Sequence, residues 1–320
     1  MNLFLKIYLI LRGAVPQKRG IMKKKSKHAY RRPELEGEIH SVVLAGDQKV
    51  KLEPHTTFSG LTFDQVDLTG LSLTSCKFIN CKFINCKIEM TEFSHSEFTN
   101  TTFLKSSLSG SAFLFSEMVD VTISDCKADE VRFNYARQER CMFIDSDLTD
   151  TKFIETQMSD CAIKDCILDD CQMVETQLIR VKIQSCFAKN GSWTLRKAFL
   201  EDVVFEDCQA WDARISLCWS TDLVIDRSNF YKSSFQDCVF LTSKIVHTGF
   251  NEAHLGACTF NDTKLRACRF RLAKLPQTTF NKCTLTVSSL ERADLSTTIF
   301  FETDLEDNYT GSEKRFQTKY

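Results

Sequence analysis

A chain of 320 residues with 15 cysteines and 26 phenylalanines, but only four prolines and 11 glycines, is too poor in turn residues for a conventional all-β sandwich and too rich in phenylalanine for disorder. Its formal charge of −1 hides an asymmetry, because residues 1–32 carry ten Lys or Arg and no acid, leaving 31 basic and 42 acidic residues in the remainder. A body at about −11 argues against direct nucleic-acid binding through phosphate neutralisation and favours solubility of a long array.

Taken in chain order, 1–33 reads as a basic, flexible leader. The apolar start from Leu3 to Leu11 is interrupted by Lys6 and is too short to span a bilayer, and no transmembrane segment comes after it. It makes a poor secretory signal, since Lys18, Arg19, Lys23, Lys24 and Lys25 come after the apolar stretch instead of before it, and Met22 offers an alternative start. Residues 34–57 read as an N-terminal cap. There, Glu38 to Leu44, a turn at Ala45-Gly46-Asp47, and Lys49 to Leu52 form the pattern of a hairpin lying over the chain that begins at Phe58.

From Phe58 every fifth residue is apolar, through Phe63, Leu68, Leu73, Phe78, Phe83, Ile88 and Phe93 to Ile123, and the register continues to Ala188. A stretch at 189–194, containing Lys189-Asn190-Gly191-Ser192, then shifts the frame by two and reads as a small bulge. A second run occupies 195–305, through Leu200, Phe205, Phe230, Phe235 and Phe240 to Leu305, before a polar tail at 306–320. The two runs hold 27 and 23 repeats, and the central residue departs from Phe, Leu, Ile or Met only at Ala128, Gln138, Ala188, Ala210 and Ser220. Two positions before each centre the residue is usually small, and all 15 cysteines fall in that slot.

A period of five matches neither the helix nor the strand, so each repeat must be a short step of its own. With the centre and the small residue both inward, the chain closes a coil whose other three positions face water. These residues resemble the pentapeptide-repeat proteins, whose motif is a small residue, a polar one, Leu or Phe, then two variable ones. Ala293-Asp294-Leu295-Ser296-Thr297, Ser146-Asp147-Leu148-Thr149-Asp150 and Thr303-Asp304-Leu305-Glu306-Asp307 carry the likeness, which covers 56–307. The resemblance implies an all-β fold: a right-handed quadrilateral β-helix with about twenty residues per coil and about twelve coils spaced by roughly 4.8 Å. Stability would accumulate from neighbour contacts.

Cysteine triplets such as Cys76, Cys81, Cys86 and Cys161, Cys166, Cys171 would point in from successive sides of a coil, so packing explains them better than a metal. Residues twenty apart would stack, bringing Cys141 to Cys161 and Cys166 to Cys186. Free thiols are expected all the same, because Ser, Thr and Ala share the slot interchangeably, which points to a reducing bacterial cytoplasm. No nucleophile elbow, phosphate loop, dinucleotide fingerprint or paired histidine ligand appears, and a filled coil leaves no substrate pocket. The expectation is therefore a non-enzyme without cofactor or metal.

Two groups of outward residues stand as candidate sites. Trp211 and Trp219, near Lys189 and Asn190 by coil arithmetic, suggest one contact patch, or each covers a gap left by a small neighbour. Asp129, Glu130, Asp147, Asp150, Asp169 and Asp170, with Asp67 and Glu89, would share an acidic face. The primary reading is a protein-binding solenoid, similar to the type III secreted effectors of the family and delivered into a host cell. A DNA mimic that protects gyrase, like the quinolone-resistance members, and a purely structural scaffold are the alternatives.

Overall fold

The computed structural model describes residues 52–188 and 192–310, together with the backbone of 43–45; all lie in the unit Pro33–Tyr320. The leader, most of the cap hairpin, the bulge residues 189–191 and the end of the tail fall outside them. Val43–Ala45 pairs in parallel with Thr62–Asp64.

Each repeat from Phe58 to Leu290 makes one short extended step with its centre buried, as in Lys77–Ile79 and Thr102–Leu104, and the last centres, Leu295, Phe300 and Leu305, are partly buried. The second residue after the centre turns the chain. In almost every repeat it takes a positive φ, between 45° at Glu302 and 61° at Tyr135 among the non-glycine residues. That conformation costs least for Gly, Asn and Asp, which is why aspartate recurs there, as at Asp120, Asp150, Asp160 and Asp170. Four such steps close a coil, and parallel pairing then joins residues twenty apart, as in Phe58↔Phe78 and Phe83↔Phe103.

The result is an all-β parallel solenoid with four faces, numbered here in chain order from the columns that begin at Phe58, Phe63, Leu68 and Leu73. The first and second faces are 13-stranded sheets, which corresponds to about twelve coils. The third and fourth are held by isolated bridges such as Asp67↔Lys87 and Ser72↔Glu92, with a six-stranded sheet on the fourth and a two-stranded one on the third. Consecutive faces adjoin, so the first and third are opposite walls.

The core consists of the stacked centres. Phe63, Phe83 and Phe103 lie nearly parallel at 4.6 and 4.7 Å, and Phe78 meets Phe83 edge-on at 5.6 Å, so each ring is stacked within its column and edged by the next. Burying each such side chain contributes about 1.5–3 kcal/mol. The small slot before each centre is selective for a reason visible in its bonds. Thr91 Oγ1 donates to Leu68 C=O at 2.9 Å, Thr151 Oγ1 to Ala128 C=O at 2.8 Å, and Cys81 Sγ to Phe58 C=O at 3.4 Å. A small side chain with one donor satisfies itself on the coil below.

The two-residue frame shift is absorbed in one coil of 22 residues: Gln172 pairs with Thr194, Gln177 with Phe199, Lys182 with Val204 and Phe187 with Gln209. The twenty-residue step resumes at Thr194↔Arg214, so no column loses alignment. In this stretch Ala188 stacks on Ala210 in the third-face column, and the missing volume comes from an unexpected quarter. Trp193 occupies the small slot before Leu195, is 2% exposed, and meets Phe205 edge-on at 5.4 Å. Its indole nitrogen has no partner among the described residues. Nearby, Ser220 replaces a large centre and donates to Val239 C=O at 3.0 Å, leaving an apolar cavity of about 20 Å³. Gln138, buried between Met118 and Met158, keeps an unsatisfied Oε1.

Candidate interaction surface

Outward residues twenty apart stack into columns along the solenoid, one strand spacing from neighbour to neighbour, so each corner becomes a ladder of side chains. At the corner between the first and second faces the ladder alternates in sign: Asp120, Arg140, Asp160, Arg180. Arg140 Nε lies 2.6 Å from Asp120 and Arg180 Nε 2.6 Å from Asp160, each fork making a second bond at 2.9 and 2.7 Å respectively. These bonds hold the carboxyls of Asp120 and Asp160 below the usual range. From Asp120 to Arg180 this corner neutralises itself.

The corner between the third and fourth faces does not. Glu130, Asp150 and Asp170 form one column, Asp129, Thr149 and Asp169 the column beside it, and Asp147 lies on the strand before Leu148. Lys127 and Lys152 are only loosely paired, at 3.7 Å from Asp129 and 3.9 Å from Asp150. Asp129 accepts from Ser109 Oγ at 2.5 Å, Asp147 from the Thr149 N–H at 3.0 Å and Asp170 from the Ser192 N–H at 3.0 Å. Asp129, Glu130, Asp150 and Asp170 thus line an open depression of about 500 Å³ with Thr149, Gln172, Ser192, Thr194 and Arg214. Asp147 and Asp169 lie on the same face but outside the lining.

Trp211 is 37% exposed and occupies a later position at this same corner, edge-on to Tyr231 at 6.3 Å. The Lys232 ammonium lies 5.1 Å from the Tyr231 ring centre. Lys189 and Asn190 fall outside the described residues.

The single patch expected of Trp211 and Trp219 does not form. Trp219 is half-buried on the first face, in the strand Trp219–Thr221, whereas Trp211 comes directly after the third-face strand Gln209–Ala210, and the whole of Arg214–Ser216 separates them. The physical reason is the turn: two repeats carry the chain to the opposite wall. Neither indole fills a core gap. Trp193, and not Trp211, lines the crevice beside Ala188 and Ala210, and the cavity at Ser220 is lined without Trp219.

Sequence reasoning also passed over an exposed aromatic ladder. His95, Phe115 and Tyr135, at successive turns of the corner between the fourth and first faces, stack nearly parallel at 5.0 and 4.7 Å. Their twenty-residue spacing was the available signal.

All 15 cysteines are buried, and none is in a disulfide among the described residues. Cys141 N–H points at Cys161 Sγ at 3.3 Å, the stacking expected of residues one coil apart. Burial pushes the thiols of Cys126 and Cys208 up to about 11 and that of Cys268 up to about 12, which keeps them protonated near neutrality. Among the described residues no cluster of His, Cys, Asp or Glu is placed to hold a metal ion, and no helix is long and apolar enough to cross a membrane.

A pentapeptide repeat region is matched at residues 56–133 and 221–290. No curated protein matches the chain. Among solved structures, a trypsin-treated variant of QnrB1, a plasmid-mediated fluoroquinolone resistance protein, is similar at 15% identity and a TM-score of 0.36, over 54% of this chain and 83% of that one. HetL, a pentapeptide repeat protein involved in heterocyst differentiation regulation in the cyanobacterium Nostoc sp. strain PCC 7120, is similar at 15% identity and a TM-score of 0.28, over 77% and 88%. A mutant of the periplasmic alginate epimerase AlgG reaches a TM-score of 0.38 at 8% identity, over 80% and 77%. With two matched segments, and a five-residue step that a single two-residue insertion interrupts between them, the chain carries a pentapeptide repeat region.

Proposed function

We propose that this protein is a non-catalytic docking scaffold whose working surface is the corner between the third and fourth faces. The supporting observation is the contrast in charge. Stacking Glu130, Asp150 and Asp170 one strand spacing apart is unfavourable for the isolated chain, and the corner between the first and second faces, diagonally opposite, shows that alternation with arginine relieves it. A partner presenting Lys or Arg supplies the missing counter-charge, and Trp211 with Tyr231 offers an apolar anchor further along the same corner. In this reading the partner is a basic segment of a protein.

The test is a pair of variants. In one, Asp129→Asn, Glu130→Gln, Asp150→Asn and Asp170→Asn are combined; in the other, Arg140→Gln and Arg180→Gln disturb the self-neutralised ladder. Captured partner should be lost from the first, retained by the second, and released from the wild type by moderate salt. Equal capture by both variants would move the working surface elsewhere.

A second reading, gyrase protection by DNA mimicry, draws on the same carboxylate columns. Relief of ciprofloxacin-inhibited supercoiling at stoichiometric protein, abolished in the four-residue variant, would favour it over docking to another protein. Action in a host cell after secretion extends the first reading and is motivated by the acid-free basic segment 1–33. Failure of that segment to export a fused reporter through a type III apparatus would remove this extension and leave the docking surface untouched.

A further inference from the structure

The first face, which is separate from the acidic depression at the third and fourth faces, carries its own outward feature. Phe199, Trp219 and Val239 are direct partners on three successive parallel strands, and so form an apolar stripe along the solenoid, half-buried and facing out. Leu217, at the corner beside Trp219, is 51% exposed. Since the cavity behind Ser220 is lined without Trp219, the indole is not there to complete the core.

The charges at the two edges of this face identify its occupant. On one coil the edges carry Glu175 and Arg180; on the next they carry Lys197 and Asp202, with the order of signs reversed. Lys197 Nζ reaches Glu175 at 2.8 Å along its own edge, and Arg180 forks onto Asp160, so Asp202 has no direct ion pair among the described residues. On these two coils the opposite edges are of opposite sign, so this stretch of the face is complementary to itself. A two-fold axis running along the solenoid places each edge of one copy against the other edge of its mate at the same coil. Glu175 then faces Arg180 of the second copy, and Lys197 faces Asp202 of the second copy, with the two stripes packed between. A two-fold axis across the solenoid through Trp219 would instead bring Asp222 against Asp222.

We propose that a second copy of this chain docks in parallel through the first face, with the Phe199–Trp219–Val239 stripes in contact and the Lys197 and Asp202 edges paired across the interface. This surface is independent of the acidic depression, which stays open on the outer wall of each copy.

Light scattering and sedimentation of the full chain over a range of concentrations provide the test, with circular dichroism to confirm that each variant is folded. The wild type should be a dimer. Trp219→Thr, which removes the indole but puts a residue of high strand propensity at this outward strand position, should be monomeric, and Lys197→Glu or Asp202→Lys alone should each raise the dissociation constant about tenfold or more. An equimolar mixture of the Lys197→Glu and Asp202→Lys proteins should dimerise again, because each charge then meets its opposite across the axis. A monomeric wild type at every concentration, a dimer indifferent to Trp219→Thr, or rescue of Lys197→Glu by Asp237→Lys in place of Asp202→Lys would each overturn the proposal.

Discussion

The coils from Phe58 to Phe153 and the coils around Trp193 and Ser220 take the same backbone path over different interiors. In the first region, rings stack at about one coil spacing, as Phe78 does on Phe98 at 4.9 Å and Phe93 on Phe113 at 4.9 Å. In the second, Ala188 and Ala210 stand in one column and Ser220 in another, and a tryptophan enters the slot reserved elsewhere for small residues. The path survives because it is set by the positive-φ corners and by the pairing of residues one coil apart, both of which the second region keeps. What the interior must conserve is local volume, not the identity of any one centre.

Substitutions that break this contrast are ordered by how much volume or polarity they disturb. Phe98→Asp places an unpaired carboxylate in a filled column, at a cost of several kcal/mol, and should abolish cooperative unfolding followed by circular dichroism. Trp193→Ala should cost about 3–5 kcal/mol. Its signature is location: hydrogen exchange should show protection lost first in the 22-residue coil between Gln172 and Thr194, whereas a uniform loss would mean that Trp193 does not replace the volume missing at the two alanines. Gln138→Met works in the other direction. It removes a buried amide whose Oε1 is unsatisfied and restores a thioether to a column already holding Met118 and Met158, so the melting temperature should rise with a gain of about 1–3 kcal/mol. Asp147→Ala, on the outside of the regular region, should change stability by less than about 0.5 kcal/mol in the same assay.

Much of this was legible in the sequence, since the five-residue step predicted each buried centre and the slot before it. That Asp150 and Asp170 stack came out of the same arithmetic, because they are one coil apart; the depression they line with Asp129 and Glu130 did not. Trp193 was missed although the slot rule points to it, two positions before Leu195; size argued against it there, and only the stacked alanines explain how it fits. Trp211 and Trp219 were joined because they are close along the chain, but their repeats are two steps apart and so belong to opposite walls. The alternation of Asp120, Arg140, Asp160 and Arg180 could have been read in the same way, by comparing each residue with the one twenty positions on.

The 22-residue coil separates length from bearing. Each repeat advances the chain by a quarter circuit, so removing five residues between Asp170 and Phe199 would swing everything downstream to the adjoining wall and set the Trp219 stripe at right angles to its present relation with the acidic corner. Removing twenty would shorten the array without changing any compass direction. The insertion before Trp193 belongs to the silent kind: Met173 still lies under Leu195 and Leu178 under Leu200, so two residues have been added at no change of phase. A solenoid of this design can therefore gain or lose small loops freely, while any net change of one, two or three repeats rewrites which of its surfaces look the same way.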